Sequence, residues 1–174
     1  KGQGPFTGIV FVHGGGWHNG ARTQLRRQAR YMAERGMVGL ALASRRAPEH
    51  PFPAAVDDAV TVYRELLKIY KPNHIILYGA SAGAILTGEA AVKLKKLGLP
   101  LPAALGIFST SGDLSKMGDT QAIYSVTGVA GRLSPPKPGR QFLSEYVGYT
   151  DPRDPVLSPL YADLHGMPPT LFLS

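Results

Sequence analysis

Short apolar runs alternate with longer amphipathic segments along this chain, and this alternation constrains the fold more than any other feature. Continuous apolar runs of this length are typical of strands that are buried on both faces of a parallel sheet. The predicted strands are residues 7–12, 37–43, 75–78, 103–109 and 170–173. Apolar residues at helical spacing predict helices at 23–35, between Pro53 and Pro72, and at 82–97. The fold class is therefore α/β, a mostly parallel sheet with helices on both faces.

The length of 174 residues, 44% of them hydrophobic, is enough for one core, so we expect a single domain over residues 1–174. Within it, residues 112–150 are rich in Gly, Ser and Pro. This segment is much longer than the usual connection in such folds, which has about two to six residues. Because it also carries apolar and aromatic residues that could pack, we predict an ordered lid or cap insertion rather than disorder.

Composition excludes several classes of function. The chain has no cysteine, which excludes disulfides, thiolate metal sites and a cysteine nucleophile. The net charge of +7 is spread along the chain. The segment with the highest density of basic residues also carries apolar residues at helical spacing, which is typical of the solvent-exposed side of an amphipathic helix. We therefore expect no nucleic-acid partner. That segment includes Arg26, Arg27 and Arg30. No apolar run reaches the roughly 20 residues of a membrane span, and no signal peptide opens the chain.

The most specific motif is Gly79-Ala80-Ser81-Ala82-Gly83, between a predicted strand and a predicted helix. A serine that attacks a carbonyl must be lifted clear of the sheet, which requires a tight turn with small neighbours such as Gly79 and Gly83. The following helix directs its positive end to the same point, where negative charge would develop. The motif in this context predicts a nucleophilic serine, Ser81.

A second motif, His13-Gly14-Gly15-Gly16-Trp17, follows the first predicted strand. It therefore leaves the sheet at the carboxyl edge, where ligands bind in open α/β folds. Glycines there let backbone N–H groups face a ligand, and two such donors with the N–H of Ala82 would form an oxyanion hole. The alternatives are a simple glycine-rich turn or a phosphate-binding loop, and the phosphate-binding loop fails because neither of its common glycine patterns fits these residues.

These motifs resemble the hormone-sensitive-lipase-like esterases of the α/β-hydrolase superfamily. The resemblance rests on HGGGW at 13–17, RRAPEHPFPAAVDD at 45–58 and GASAG at 79–83, in that order. It implies a carboxylic-ester hydrolase with Ser81 as nucleophile and Gly15, Gly16 and Ala82 as oxyanion donors. His13, Gly14 and Trp17 would support the loop, and no metal or organic cofactor is implied. The substrate would be a small-molecule ester of short to medium acyl length.

A catalytic serine needs a general base oriented by an acid, and in this fold both follow the serine in the chain. The acid is expected just beyond Ser174 and the base later still. His74 and His165 precede predicted strands, which places them at the amino edge, away from Ser81. We therefore expect the chain to be an incomplete copy of an esterase, truncated at both ends.

Three readings of function stay open at this point. The first is an esterase with an acyl pocket partly walled by Phe142 and Tyr146 of the 112–150 segment. The second is a non-catalytic receptor that holds a small ligand in the same pocket, as the gibberellin receptors that resemble this group do. The third is an amidase or peptidase, which would share every motif. The sequence leaves the compartment and the oligomeric state open.

Overall fold

The strands that the structure describes form a five-stranded parallel sheet at the centre of the fold. The computed structural model describes residues 8–12, 26–115 and 144–173. The strands are β1 (Gly8–Val12), β2 (Val38–Leu42), β3 (Ile75–Ala80), β4 (Ala104–Phe108) and β5 (Thr170–Leu173). The α-helices are α1 (Arg26–Ala33), α2 (Ala54–Leu67), α3 (Ala82–Lys96) and α4 (Ser144–Val147). Among the described residues, 3₁₀ turns at Pro72–His74 and Pro159–Tyr161 precede β3 and β5, respectively.

The strand order is β2-β1-β3-β4-β5, with every neighbouring pair parallel. The chain first moves from β1 outward to β2, and then crosses back to β3 on the other side of β1. The order of strands thus reverses between β1 and β3. In open α/β sheets, ligands bind beyond the carboxyl ends of the strands at such a reversal.

The same reversal distributes the helices over the two faces of the sheet. Since crossovers between parallel strands are right-handed, a change of direction sends the next helix to the opposite face. On one face, Met32 of α1 belongs to an apolar cluster with Ile76 and Tyr78 of β3. On the other face, the larger core joins the sheet to α2 and α3, with Leu77 among its buried residues. The predicted α/β class, with helices on both faces, is confirmed.

The predicted elements agree closely with the observed ones. The predicted helix at 82–97 is α3, and the strand predicted at 170–173 has the same bounds in the structure. Gly36 and Gly98, which follow the ends of α1 and α3, have φ of 77° and 64°. This left-handed conformation suits glycine after the last turn of a helix. The predicted helix at 23–35 begins outside the described residues, and its described part is α1.

The carboxyl end of α3 is tied to two other parts of the fold. Lys93 forms an ion pair with Asp57 in the first turn of α2. Lys95 binds the carboxylate of Asp163 at 2.8 Å and the carbonyl oxygen of His165 at 2.7 Å, just before β5. The hydrogen bond from Lys95 is the main cause that lowers the pKa of Asp163. None of the described helices combines the length and apolarity needed to cross a membrane.

Candidate active site at the β3–α3 turn

Ser81 lies in the turn that joins β3 to α3. Its φ and ψ are 54° and −127°, a backbone conformation that non-glycine residues rarely adopt. The N–H of Ser81 donates to the carbonyl oxygen of Phe108 at 2.9 Å, which ties the turn to the end of β4. Ser81 is exposed, whereas Ala82, the first residue of α3, is buried. Such strain costs about 1–3 kcal/mol and is found most often at functional sites.

Gly79 explains why the turn can be so tight. A Cβ atom at this position would lie 2.0 Å from the carbonyl oxygen of Gly83 and 2.7 Å from the amide nitrogen of Ala84. Both are backbone atoms of α3, so they cannot move aside as a side chain could. The glycine expected from the motif is therefore required by the close approach of the strand to the helix.

The first turn of α3 presents the electrostatic features that a developing oxyanion needs. The first N–H groups of a helix have no acceptor within the helix, and the helix dipole adds partial positive charge there. Ala82 is the first residue of α3 and directly follows Ser81. The carbonyl oxygen of Ser81 accepts hydrogen bonds from Ala84 at 2.9 Å and Ile85 at 3.3 Å, which orders this turn.

The two sequence motifs start from neighbouring strand ends. Val12, the last residue of β1, is the register partner of Gly79 in β3. The segment that follows Val12 is His13-Gly14-Gly15-Gly16-Trp17, which lies outside the described residues. Its predicted oxyanion and supporting roles therefore remain predictions, and so does the proximity of its N–H groups to Ser81. The described strand ends place the start of both motifs at the reversal of strand order.

Of the two predicted pocket-wall residues, the structure describes Tyr146 but not Phe142. Phe142 and residues 116–143 of the predicted lid lie outside the described residues. Tyr146 lies on α4 and is 1% exposed. Its hydroxyl donates to Oε2 of Glu89 at 2.6 Å, and its ring meets Phe52 edge-on with centroids 6.2 Å apart. Tyr146 is thus a core residue beside α3, and its role at a pocket remains a prediction.

Glu89 is the buried group that sequence reasoning missed. It lies two turns after Ser81 on α3 and is 0% exposed. Burial raises the pKa of its carboxyl well above the ordinary value, and the hydrogen bond from Tyr146 opposes this only in part. The available signal was the single acidic residue of α3, which lies among the small and apolar residues that precede its lysines.

The described histidines lie where the sequence predicted them. His74 belongs to the 3₁₀ turn immediately before β3, and His165 precedes β5, so both are at the amino edge of the sheet. His50 lies in the loop between β2 and α2, while His13 and His18 are outside the described residues. Among the described residues, no group of three or more histidine or carboxylate side chains could hold a metal ion.

Comparisons with known proteins point to the same fold as the geometry does. Residues 9–174 match the alpha/beta hydrolase fold family. An acetyl-hydrolase of Streptomyces hygroscopicus is 38% identical over 165 residues, which cover 94% of this chain and 54% of that protein. An esterase of the bacterial hormone-sensitive lipase family superposes with a TM-score of 0.80 at 34% identity, covering 96% of this chain and 56% of that one.

A third similar structure is that of EstE5 soaked with p-nitrophenyl butyrate. It has a TM-score of 0.82 and 33% identity, and the match covers 97% of this chain and 56% of that chain. The chain thus spans about half the length of the proteins it matches. The match of nearly the whole chain, together with the strand-turn-helix geometry around Ser81, shows that the chain belongs to the alpha/beta hydrolase fold family and is similar to its hormone-sensitive-lipase-like esterases.

Proposed function

We propose that this protein hydrolyses carboxylic esters of short to medium acyl length through an acyl-enzyme on Ser81. The observation that carries the proposal is the backbone of Ser81, held at a φ of 54° between a strand and the positive end of α3. A strained, exposed serine at that point is the arrangement that a nucleophile needs. The similarity to an acetyl-hydrolase and to an esterase soaked with a butyrate ester supports the short end of the acyl range.

In the proposed reaction, the Ser81 hydroxyl oxygen attacks the ester carbonyl carbon as a general base removes the hydroxyl proton. The carbonyl oxygen becomes an oxyanion, which accepts hydrogen bonds from the N–H groups of Ala82, Gly15 and Gly16. Each such donor stabilises the transition state by about 3–4 kcal/mol. The intermediate then expels the alcohol, which takes up the proton. Water attacks the resulting acyl-serine and releases the carboxylic acid, which restores the Ser81 hydroxyl.

Two further features belong to the proposal. We place the whole chain in one domain, with the 112–150 segment as a lid or cap over the acyl-binding side. His13, Gly14 and Trp17 support the oxyanion loop, while Gly79 and Gly83 leave room for the serine turn. The described carboxyl-terminal end of this segment supports an ordered lid, because Tyr146 and Val147 of α4 are buried against the core.

The test is hydrolysis of p-nitrophenyl esters of two, four, eight and twelve acyl carbons by the intact protein. We expect kcat/KM to be highest for acetate or butyrate and to fall for the dodecanoate. Ser81→Ala should lower kcat by about 10⁴-fold or more, because the covalent route is lost.

The matched control is Ser109→Ala. Ser109 is also exposed and also has a positive φ, 58°, at the end of the neighbouring strand β4. It should retain activity within about tenfold of the wild type. Equal rates for Ser81→Ala and the wild type would refute the assigned nucleophile. Faster cleavage of the matching p-nitroanilide than of the ester would favour an amidase.

A further inference from the structure

Glu89 and Tyr146 form a buried hydrogen-bonded pair that the proposed chemistry does not use. Glu89 is fully buried on α3, and its Oε2 accepts the hydroxyl hydrogen of Tyr146 at 2.6 Å. Among the described residues, the other carboxyl oxygen, Oε1, has no hydrogen-bond partner. Burying a carboxylate with a single neutral donor is very unfavourable, so the group is expected to keep its proton.

No described cation faces Glu89 to offset a negative charge. On α2, Asp57 pairs with Lys93, and the buried hydroxyl of Tyr63 stays neutral because burial raises its pKa to about 12. From the described residues, the one titratable group that acts on the Glu89 carboxyl is the hydroxyl of Tyr146. Ionisation of Glu89 would therefore place an uncompensated charge in the core.

The 3₁₀ turn that packs against α3 offers no cation either. Its titratable residue, Tyr161, donates its hydroxyl hydrogen to Asp113 at 3.2 Å and contacts the hydroxyl of Ser115 at 2.8 Å. Pro159 of the same turn would lie 3.3 Å from a Cβ atom at Gly88, directly beside Glu89 in the chain. The described residues of this turn therefore bring no cation to α3.

Tyr146 connects this pair to the loop that precedes α2. Its carbonyl oxygen accepts a hydrogen bond from the N–H of Phe52 at 2.7 Å, and the two rings meet edge-on. Pro51 contacts the position where a Cβ atom would lie at Gly148, at 3.3 Å. Tyr146 therefore joins Phe52 of this loop to α3, the helix that follows Ser81, while Gly148 lies beside Pro51.

We propose that Glu89 is a positioning residue, which through Tyr146 holds α4 and the loop at Pro51 and Phe52 against α3, the helix that follows Ser81. This rests on the proposed function wherever activity is the measurement. Ionisation would leave an uncompensated charge in the core, so the packing of α4 on α3 is most stable while Glu89 keeps its proton and weakens as pH rises. Between the pKa of the unfolded chain and the raised pKa of the native state, the native protein binds one more proton. Stability therefore falls with increasing pH across that window.

The experiment compares the wild type with Glu89→Gln, which keeps the shape and the acceptor for Tyr146 but cannot ionise. Thermal unfolding is followed from pH 5 to 8.5, with kcat on p-nitrophenyl acetate measured at each pH. Relative to Glu89→Gln, the unfolding equilibrium constant of the wild type should rise by up to about tenfold per pH unit within the window. The ratio of wild-type kcat to Glu89→Gln kcat should fall in the same direction.

Two further variants separate positioning from simple charge removal and simple packing. Glu65→Gln removes an exposed carboxylate from α2, and its stability should follow the wild type at every pH. Tyr146→Phe keeps the ring but removes the bond to Glu89, so it should lower kcat at pH 5 at least threefold more than Glu89→Gln does.

Each outcome decides one part of the proposal. Parallel stability curves for the wild type and Glu89→Gln would show that Glu89 is not a proton-dependent anchor and would overturn it. Divergent stability curves with a constant kcat ratio would reduce the pair to a structural contact and overturn the positioning role. If the wild type cleaves no ester, the proposed function fails, while the stability curves still decide the state of Glu89.

Discussion

At the scale of single residues, the geometry around Ser81 depends on the absence of a side chain at Gly79. A Cβ atom at Gly79 would lie 2.0 Å from the Gly83 carbonyl oxygen, which is far below the van der Waals separation of carbon and oxygen. Removing this clash would require β3 and α3 to move apart. Such movement would also disturb the hydrogen bond from Ser81 to Phe108 that fixes the turn.

Gly79→Ala is therefore expected to destabilise the protein by about 3 kcal/mol or more, the upper end of the cost of overpacking a core. The measurement is the free energy of unfolding in urea. Gly88→Ala is the matched control, because it adds the same methyl group to the middle of α3, where the nearest atom is a proline side-chain carbon at 3.3 Å. There the gain in helix propensity of about 1 kcal/mol offsets the tight contact. Similar losses for both variants would contradict the account.

At the scale of elements, the loop between β2 and α2 is held by a two-pronged ion pair. The Nε and Nη2 atoms of Arg45 bind the Asp58 carboxylate at 3.0 and 2.8 Å, and the backbone N–H of Arg45 donates to Asp58 at 2.8 Å. Arg45 also reaches the carbonyl oxygen of Ala54 at 3.3 Å. These bonds fix the loop to the amino-terminal part of α2, and the hydrogen bond to Asp58 is the main cause that raises the pKa of Arg45.

Arg45→Lys should lower the melting temperature by about 2–4 °C, as expected for loss of a fork-shaped pair in a protein of this size. A lysine keeps the charge but cannot make the paired bonds. Arg30→Lys is the control, since the Arg30–Glu34 pair is exposed on both sides and should leave the melting temperature almost unchanged. If both variants have the same melting temperature as the wild type, the ion pair does not hold the loop.

The elements were largely predictable from local sequence, whereas their side-chain connections were not. Strand and helix bounds follow from periodicity, and the turn at Ser81 follows from its flanking glycines. No local pattern links Asp58 to Arg45, 13 positions earlier, yet the two form an ion pair. Glu89 and Tyr146 are 57 positions apart in the chain. A pair of that kind depends on how α4 packs on α3, which no local pattern encodes.

At the scale of the whole molecule, the residues that follow the 116–143 segment belong to the same core as α3, the helix that follows Ser81. Leu157 and Leu94 are both 0% exposed and lie in one apolar cluster with residues of the sheet. Ser158 is also buried, and its hydroxyl accepts a hydrogen bond from Leu114 at 2.8 Å. The two ends of the proposed lid are thereby fixed to one body, which supports the single-domain proposal.

Leu157→Ala and Leu94→Ala should each cost about 2–5 kcal/mol of stability, the range for removing a buried leucine side chain. Both should shift one common unfolding transition, followed by calorimetry and by circular dichroism. Leu160→Ala, at a position that is 62% exposed, should change stability by less than about 0.5 kcal/mol. Two separate transitions, with Leu157→Ala affecting only one, would show that residues 144–173 form an independent unit.

The central claim is that Ser81 is the nucleophile of an ester hydrolase, and covalent labelling tests it most directly. The intact protein is treated with a serine-reactive fluorophosphonate, digested, and analysed by tandem mass spectrometry. We expect one label per chain, located on the peptide that contains Ser81, with ester hydrolysis lost in proportion to labelling. A label on another serine such as Ser109, or undiminished hydrolysis by a protein fully labelled at Ser81, would contradict the account.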